Sequence, residues 1–176
     1  MAIRSEQGDS LFRPGRRARV LQLLRDYTDS HVELTRHLAG ALEVHATDAV
    51  AVAEILWAES SGKPLSPARL SERVGLTSGA TAILLNRLEA AGHIVRSREA
   101  ADRRVVTVRL TPQTRDRTIA FFVPTGEQVD RVLDGYDDVV LESVERLLTD
   151  VVTTTAAHNA QLRDSRVQPE RPRPTR

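Results

Sequence analysis

The stretch that decides the fold is Ser61–Ile94, "SGKPLSPARLSERVGLTSGATAILLNRLEAAGHI". Ser66 followed by Pro67 is a typical helix start, because a serine hydroxyl can accept a bond from an unpaired amide and proline fits the first helical position. The first helix should stop at the next glycine, Thr77 can cap a second helix, and Gly92 can close it. Two helices joined by a short turn that contains glycine predict a helix-turn-helix.

A hairpin follows the second helix. Residues 93–98 and 105–110 predict two strands around the turn "EAADRR". The order helix, turn, helix, hairpin is that of a winged helix. The stretch "SREAADRRVVTVRL" over residues 97–110 holds four arginines, and a hairpin needs alternating apolar residues but no such concentration of guanidinium groups.

Positive charge is concentrated in the same part of the chain. Residues 61–110 contain nine basic and four acidic residues, against seven and nine in residues 1–60 and nine and eleven in residues 111–176. A basic middle between acidic flanks suggests that one segment meets a polyanion. Charge alone fits a solvated basic face equally well.

Long helices flank this segment. Residues 16–40 place apolar side chains at steps of three and four and predict a helix that ends near Gly40. A second helix should begin at Thr47, where Thr47 and Asp48 can cap the exposed amides, and run to about Ser60.

Two more helices are predicted after the hairpin. Thr111 and Pro112 start a helix that should continue to about Asp134, with a kink at Pro124. The turn "GYDD" then breaks the chain, and residues 137–162 predict a last helix with a regular apolar stripe. The tail after it carries three prolines and little to bury, so we expect it to be disordered.

Composition excludes several classes of protein. The chain has no cysteine, which removes disulfides, cysteine-ligated zinc and thiol redox switches. It has no run of about 18 apolar residues and no signal-peptide pattern, so a cytoplasmic protein is expected. It also lacks the motif GxGxxG, a P-loop and a compact Ser/His/Asp set, so we expect no enzyme and no cofactor.

The whole organisation resembles the MarR family of bacterial transcriptional regulators. The string "GLTSGATAILLNRLEAAGHIVRSREAADRRVVTVRLTP" is similar to the family's recognition helix, wing and following helix start, with "DRR" and "LTP" its most recognisable pieces. The resemblance implies a mainly α fold with a small β-wing, in which a winged helix-turn-helix domain is flanked by long dimerisation helices. The implied segments are a flexible arm (1–15), an N-terminal dimerisation helix (16–46), the DNA-binding domain (47–111), C-terminal dimerisation helices (112–162) and a disordered tail (163–176).

The resemblance also assigns DNA contacts. The second helix would enter the major groove, packing on the domain through Thr81, Leu84, Leu85 and Leu88. Its DNA-facing residues would be Thr77, Ser78, Gly79, Ala80, Ala82, Ile83, Asn86 and Arg87. Many relatives carry a basic or long polar residue where this chain has Ile83, which favours contact with thymine methyls or recognition of DNA shape at that position.

The wing supplies the second set of implied contacts. Arg104 would be the tip residue inserted into the minor groove, where negative potential attracts arginine. Asp102 would brace the wing by pairing with Arg96 or Arg98, and Arg103 would contact a phosphate.

The implied function is that of a homodimeric repressor that binds a palindromic operator and is released by a small phenolic or lipophilic effector. The protein would be located with the nucleoid when it is bound to DNA. Residues that would line the effector cleft are Tyr27, His31, Trp57 and Phe121, each of which also fits plain core. A zinc site near His31, His37 and His45 is disfavoured by their spacing, and no metal is expected. A winged-helix module that mediates protein contacts without operator binding is the alternative.

Overall fold

The computed structural model describes residues 15–97 and 106–167, with side chains described as far as Leu162. These residues form a mainly α fold with a small β-hairpin, as expected. The elements in chain order are α1 (Arg16–Leu42), α2 (Ala46–Ser60), α3 (Pro67–Val74), α4 (Ser78–Ala90), β1 (Ile94–Ser97), β2 (Thr107–Leu110), α5 (Pro112–Leu133) and α6 (Asp138–Val167).

The helix-turn-helix forms from the predicted caps. The Ser66 hydroxyl accepts a hydrogen bond from the amide of Arg69 at 3.3 Å, and α3 ends at Gly75 in the left-handed conformation, with φ 72°. The Thr77 hydroxyl accepts from the amide of Ala80 at 3.2 Å and starts α4. Helices α3 and α4 are therefore separated by only three residues. The one that adopts the left-handed conformation is a glycine, which has no Cβ atom to clash there.

The hairpin pairs β1 with β2 in antiparallel register. Ile94 lies opposite Leu110, and Ser97 lies opposite Thr107. The amide of Val108 donates to the carbonyl of Leu65 at 2.8 Å, so the segment before α3 adds a bridge to the outer side of β2. The base of the hairpin is thereby fixed to the helix-turn-helix.

The flanking helices correct two of the predicted boundaries. Helix α1 continues past Gly40 to Leu42, where Glu43 takes the left-handed conformation with φ 60°. Helix α2 begins at Ala46, with His45 at its N-cap position and no side-chain cap bond. The expected Thr47–Asp48 cap was wrong because Asp48 lies inside the helix, where it is buried and paired with a distant arginine.

The C-terminal helices start as predicted. The Thr111 hydroxyl accepts from the amide of Thr114 at 3.4 Å, and the Asp137 carboxylate accepts from the amide of Val140 at 2.9 Å. Helix α6 runs to Val167, past the predicted end at residue 162. Pro124 lies inside α5, and its expected kink stays a prediction.

The chain divides into two compact units at Val123 and Pro124. The first unit contains the hydrophobic core, in which α1, α2, α3, α4 and both strands meet around Leu38, Val52, Ile55, Leu70, Leu85, Leu88, Ile94 and Val108. In the second unit α6 leaves a row of apolar side chains exposed, namely Val140, Val144, Leu147, Leu148 and Val152. None of the described helices is long and apolar enough to span a membrane.

Candidate nucleic-acid interface

Helix α4 has one buried face and one exposed face. Thr81, Leu84, Leu85 and Leu88 are each at most 3 % exposed, which confirms the predicted packing side. On the other side Ile83 is 65 % exposed, and the residues exposed beside it are small: Ser78, Gly79 and Ala82. The buried face of α4 therefore packs on the core, and the exposed face carries mostly small, uncharged side chains.

The end of this surface is fixed to α2 by an ion pair. The Nε and Nη2 atoms of Arg87 donate to the two carboxylate oxygens of Asp48 at 2.8 and 2.6 Å. The Asp48 side chain is 2 % exposed, and its hydrogen bonds raise the pKa of Arg87 above the ordinary value. Arg87 thus fixes α4 to α2, and its contact with DNA stays a prediction.

A second network joins α4 to the hairpin. Nη2 of Arg96 on β1 donates to the Asn86 side-chain oxygen at 2.7 Å, and Nη1 lies 3.2 Å from the Glu89 carboxylate. Two residues expected to contact DNA therefore contact each other. The predicted pairing of Arg96 with Asp102 cannot be compared, since Asp102 lies outside the described residues.

The remaining wing positions lie in the same gap. Arg98, Asp102, Arg103 and Arg104 belong to residues 98–105, which are outside the described part of the chain. Their assigned roles stay predictions.

A buried glutamate that sequence reasoning missed anchors the hairpin. Glu59 of α2, with its side chain 1 % exposed, accepts from the amide of Leu110 at 3.1 Å and pairs with Arg115 of α5. One carboxylate thus ties α2, the end of β2 and the start of α5 together. No sequence signal marked it, because it lies 51 and 56 positions from its partners.

His93 occupies the junction between α4 and β1. Its Nδ1 lies 3.1 Å from the Thr114 hydroxyl, and its carbonyl accepts from the amide of Thr111 at 3.0 Å. Partial burial and the positive charge of Arg117 lower the pKa of His93, while the charge of Asp48 opposes them. The folded protein therefore favours the neutral imidazole at the base of the hairpin.

This shift predicts a pH dependence of stability. The unfolded chain takes up a proton near the ordinary histidine pKa of about 6.5, before folded His93 does. The stabilisation is present above that pH and is lost as the pH falls below it. We expect the loss of unfolding free energy between pH 7.5 and 5.5, measured by urea denaturation at one protein concentration, to be smaller for His93→Gln. Equal losses in the two proteins would contradict this assignment.

The first unit also contains a cavity of about 390 Å³ between α1, α2 and the end of α3. Two of the four expected cleft residues, His31 and Trp57, line it together with Val32, Arg36, Val50, Ala53, Glu54 and Val74. Tyr27 stacks on His31 with ring centres 6.2 Å apart, and Phe121 contacts Phe122, which in turn contacts Trp57. The structure thus brings His31 and Trp57 to one cavity. Tyr27 contacts the lining residue His31 directly, while Phe122 lies between Phe121 and Trp57.

The next feature is the arrangement of possible metal ligands among the described residues. Within residues 15–97 and 106–167, no three histidine, aspartate or glutamate side chains are placed to hold an ion together. His37 lies 4.0 Å from Glu33, on the exposed side of α1.

The fold and this surface define a class. A helix-turn-helix whose second helix is buried on one side and exposed on the other, followed directly by an antiparallel hairpin, is a winged helix-turn-helix domain of the DNA-binding type.

Part of the chain is similar to a known family within this class. The model of the MarR family matches residues 49–105. An HTH-type transcriptional regulator of Bacillus subtilis, YcgE, is 27% identical over 124 residues, which cover 70% of this chain and 78% of the relative. Residues 49–105, about a third of the chain, are thus similar to the MarR family of winged helix-turn-helix transcriptional regulators, the family that the sequence motifs indicated.

Solved structures share the fold. MepR of Staphylococcus aureus in its DNA-binding conformation superposes with a TM-score of 0.59 at 15% identity, covering 77% of this chain and 98% of that chain. The regulator MarR of Oenococcus oeni PSU-1 superposes with a TM-score of 0.54 at 15% identity, covering 76% and 98%. At these identities the likeness establishes the architecture.

Proposed function

We propose that this regulator is a repressor that binds a palindromic operator as a homodimer and leaves it when a small effector binds. The observation that carries the proposal is the exposed face of α4, which stands clear of the core on a helix fixed from behind by Asp48 and by the buried leucines. Such a face fits the major groove. The protein would act in the cytoplasm, on the nucleoid.

The exposed apolar row of α6 supports the homodimer. Five valine and leucine side chains between Val140 and Val152 are each at least 39 % exposed on one helix. A contiguous apolar surface of this kind is typical of a protein interface. A two-fold dimer would present two copies of α4, and such symmetry matches a palindromic operator.

The cavity beside α2 supports a small effector. Its wall is mostly apolar, through Val32, Val50 and Trp57. Arg36 supplies one cation, and the carboxylate of Glu54 in the same wall is already paired with Arg73. This combination suits a small aromatic molecule with an acidic oxygen, such as a phenol or an aromatic carboxylate. Tyr27 and Phe121 stay candidates for a lining that closes around a bound ligand.

The same turn of α2 connects this cavity with the DNA-facing helix. Ala46, Thr47 and Val50 line the cavity, while Asp48 between them bonds to Arg87 of α4. An effector that moves this turn would also move Asp48 and, through its bonds to Arg87, the position of α4. Effector release requires the two states to differ in affinity for DNA, and a change in this contact on effector binding would supply such a difference.

The predicted wing tip gives a mutational test. We expect Arg104→Ala to weaken operator binding by about tenfold at low salt, because one minor-groove cation per half-site is lost. The loss should shrink as salt rises. Gel-shift titrations at two salt concentrations measure it, and light scattering should still give the mass of two chains. Unchanged affinity would remove Arg104 from the DNA contacts.

The function itself is tested by nuclease footprinting of the purified protein on the DNA upstream of its own gene, with and without candidate phenolic ligands. Protection of a palindromic site that a ligand abolishes is the expected result. A protein-interaction module would give no protected site, while still forming a stable complex with a protein partner.

A further inference from the structure

The exposed face of α4 holds one large apolar side chain among small ones. Ile83 is 65 % exposed and is the largest apolar residue that this helix exposes. Gly79 lies one turn before it on the same face, and the small residues Ser78 and Ala82 are exposed nearby. A single exposed isoleucine is ordinary on a protein surface, so its exposure alone assigns nothing.

Gly79, one turn before Ile83, adds an independent observation. A Cβ atom added there would have no neighbour within 4 Å, and Gly79 is not among the residues with positive φ. The fold therefore has no need of a glycine at this position, although glycine lowers helix stability. On the exposed face of α4 the missing side chain leaves the helix backbone open to close approach from outside the domain.

The long polar side chains on this face are already engaged. The Asn86 side-chain oxygen accepts from Arg96, and Arg87 is held by both oxygens of Asp48. Asparagine and arginine are typical side chains for bidentate hydrogen bonds with adenine and guanine. Because both side chains already bond to other residues of the protein, Ile83 is the large side chain at the centre of this face that can contact a base directly.

We propose that Ile83 reads a thymine in each operator half-site by packing on its C5-methyl group, with Gly79 allowing the helix to approach closely. Thymine is the one standard base that presents a methyl group in the major groove. This inference rests on the proposed operator binding and names the base chemistry that the same surface recognises.

The test replaces thymine by uracil, which removes only the methyl group. After binding-site selection with the full-length protein, each thymine of the selected operator is replaced singly, in both half-sites, and affinity is measured by fluorescence anisotropy. We expect one position at which the change weakens wild-type binding by about fourfold per half-site, the effect of one buried methyl group. Ile83→Ala, which removes the contact from both half-sites, should bind about sixteenfold more weakly and show no uracil effect at that position.

Val95→Ala is the matched control, since Val95 is an exposed aliphatic residue, 48 % exposed, on β1. Its uracil profile should equal that of the wild type. Operator binding with the same uracil profile in wild type and Ile83→Ala would overturn the inference and leave the proposed function intact. Failure to select any specific duplex would instead overturn the proposed function.

Discussion

Glu59→Ala is expected to lower the free energy of unfolding by about 3 kcal/mol. The Glu59 carboxylate is almost fully buried, accepts from the amide of Leu110 and pairs with Arg115. Its removal leaves a backbone donor without its partner and a half-buried guanidinium without its counter-charge. Because these groups lie where α2, the hairpin and α5 meet, the wing should lose order together with stability. Urea denaturation at a fixed protein concentration measures the change.

Glu54→Ala is the matched control for this prediction. Glu54 lies on the same helix and also pairs with an arginine, Arg73, at 3.0 Å, but the carboxylate is 33 % exposed. A pair of this kind contributes about 0.5 kcal/mol, since water replaces the partner. Glu59→Gln, which keeps an acceptor for Leu110, should fall between the two. Equal effects of Glu59→Ala and Glu54→Ala would show that Glu59 does not anchor the hairpin.

Gly79→Leu is expected to reduce operator affinity by about a hundredfold while leaving the fold intact. The space around Gly79 is open, so the domain accepts a side chain, and replacing glycine in a helix should raise stability by about 0.5 kcal/mol. A four-carbon side chain would stand between the α4 backbone and the DNA in both half-sites. Thermal unfolding and anisotropy titration of one preparation give the two readouts.

Gly40→Leu provides the comparison. Gly40 is exposed near the end of α1, and a Cβ atom added there also has no neighbour within 4 Å. This variant should keep operator affinity. If Gly79→Leu binds the operator as tightly as Gly40→Leu does, the exposed face of α4 does not approach DNA.

The helix-turn-helix was predictable because its signals are local. Ser66 and Thr77 each cap a helix through an amide three residues away, and Gly75 takes the left-handed conformation that its position requires. The buried side of α4, which the resemblance implied, also shows the spacing of one helix face. Such features depend on residues that lie within one or two helical turns of each other along the chain, so they can be recognised in a single sequence.

The ion pairs were not predictable because their partners are distant in sequence. Asp48 looked like a helix cap, since an acidic residue near a helix start is usually one. Its burial depends on Arg87, 39 positions away, and that of Glu59 on Arg115, 56 positions away. The cavity likewise combines side chains of three helices, so sequence reasoning found His31 and Trp57 but not Arg36.

Binding-site selection from random duplex DNA, with the purified full-length protein, tests the central claim most directly. We expect a palindromic consensus with half-sites about one helical turn apart and a thymine at a fixed position in each. The selected duplex should bind more weakly as salt rises, since phosphate contacts release counterions. A pool that gains no consensus over the selection, with no duplex bound more tightly than random DNA, would contradict it.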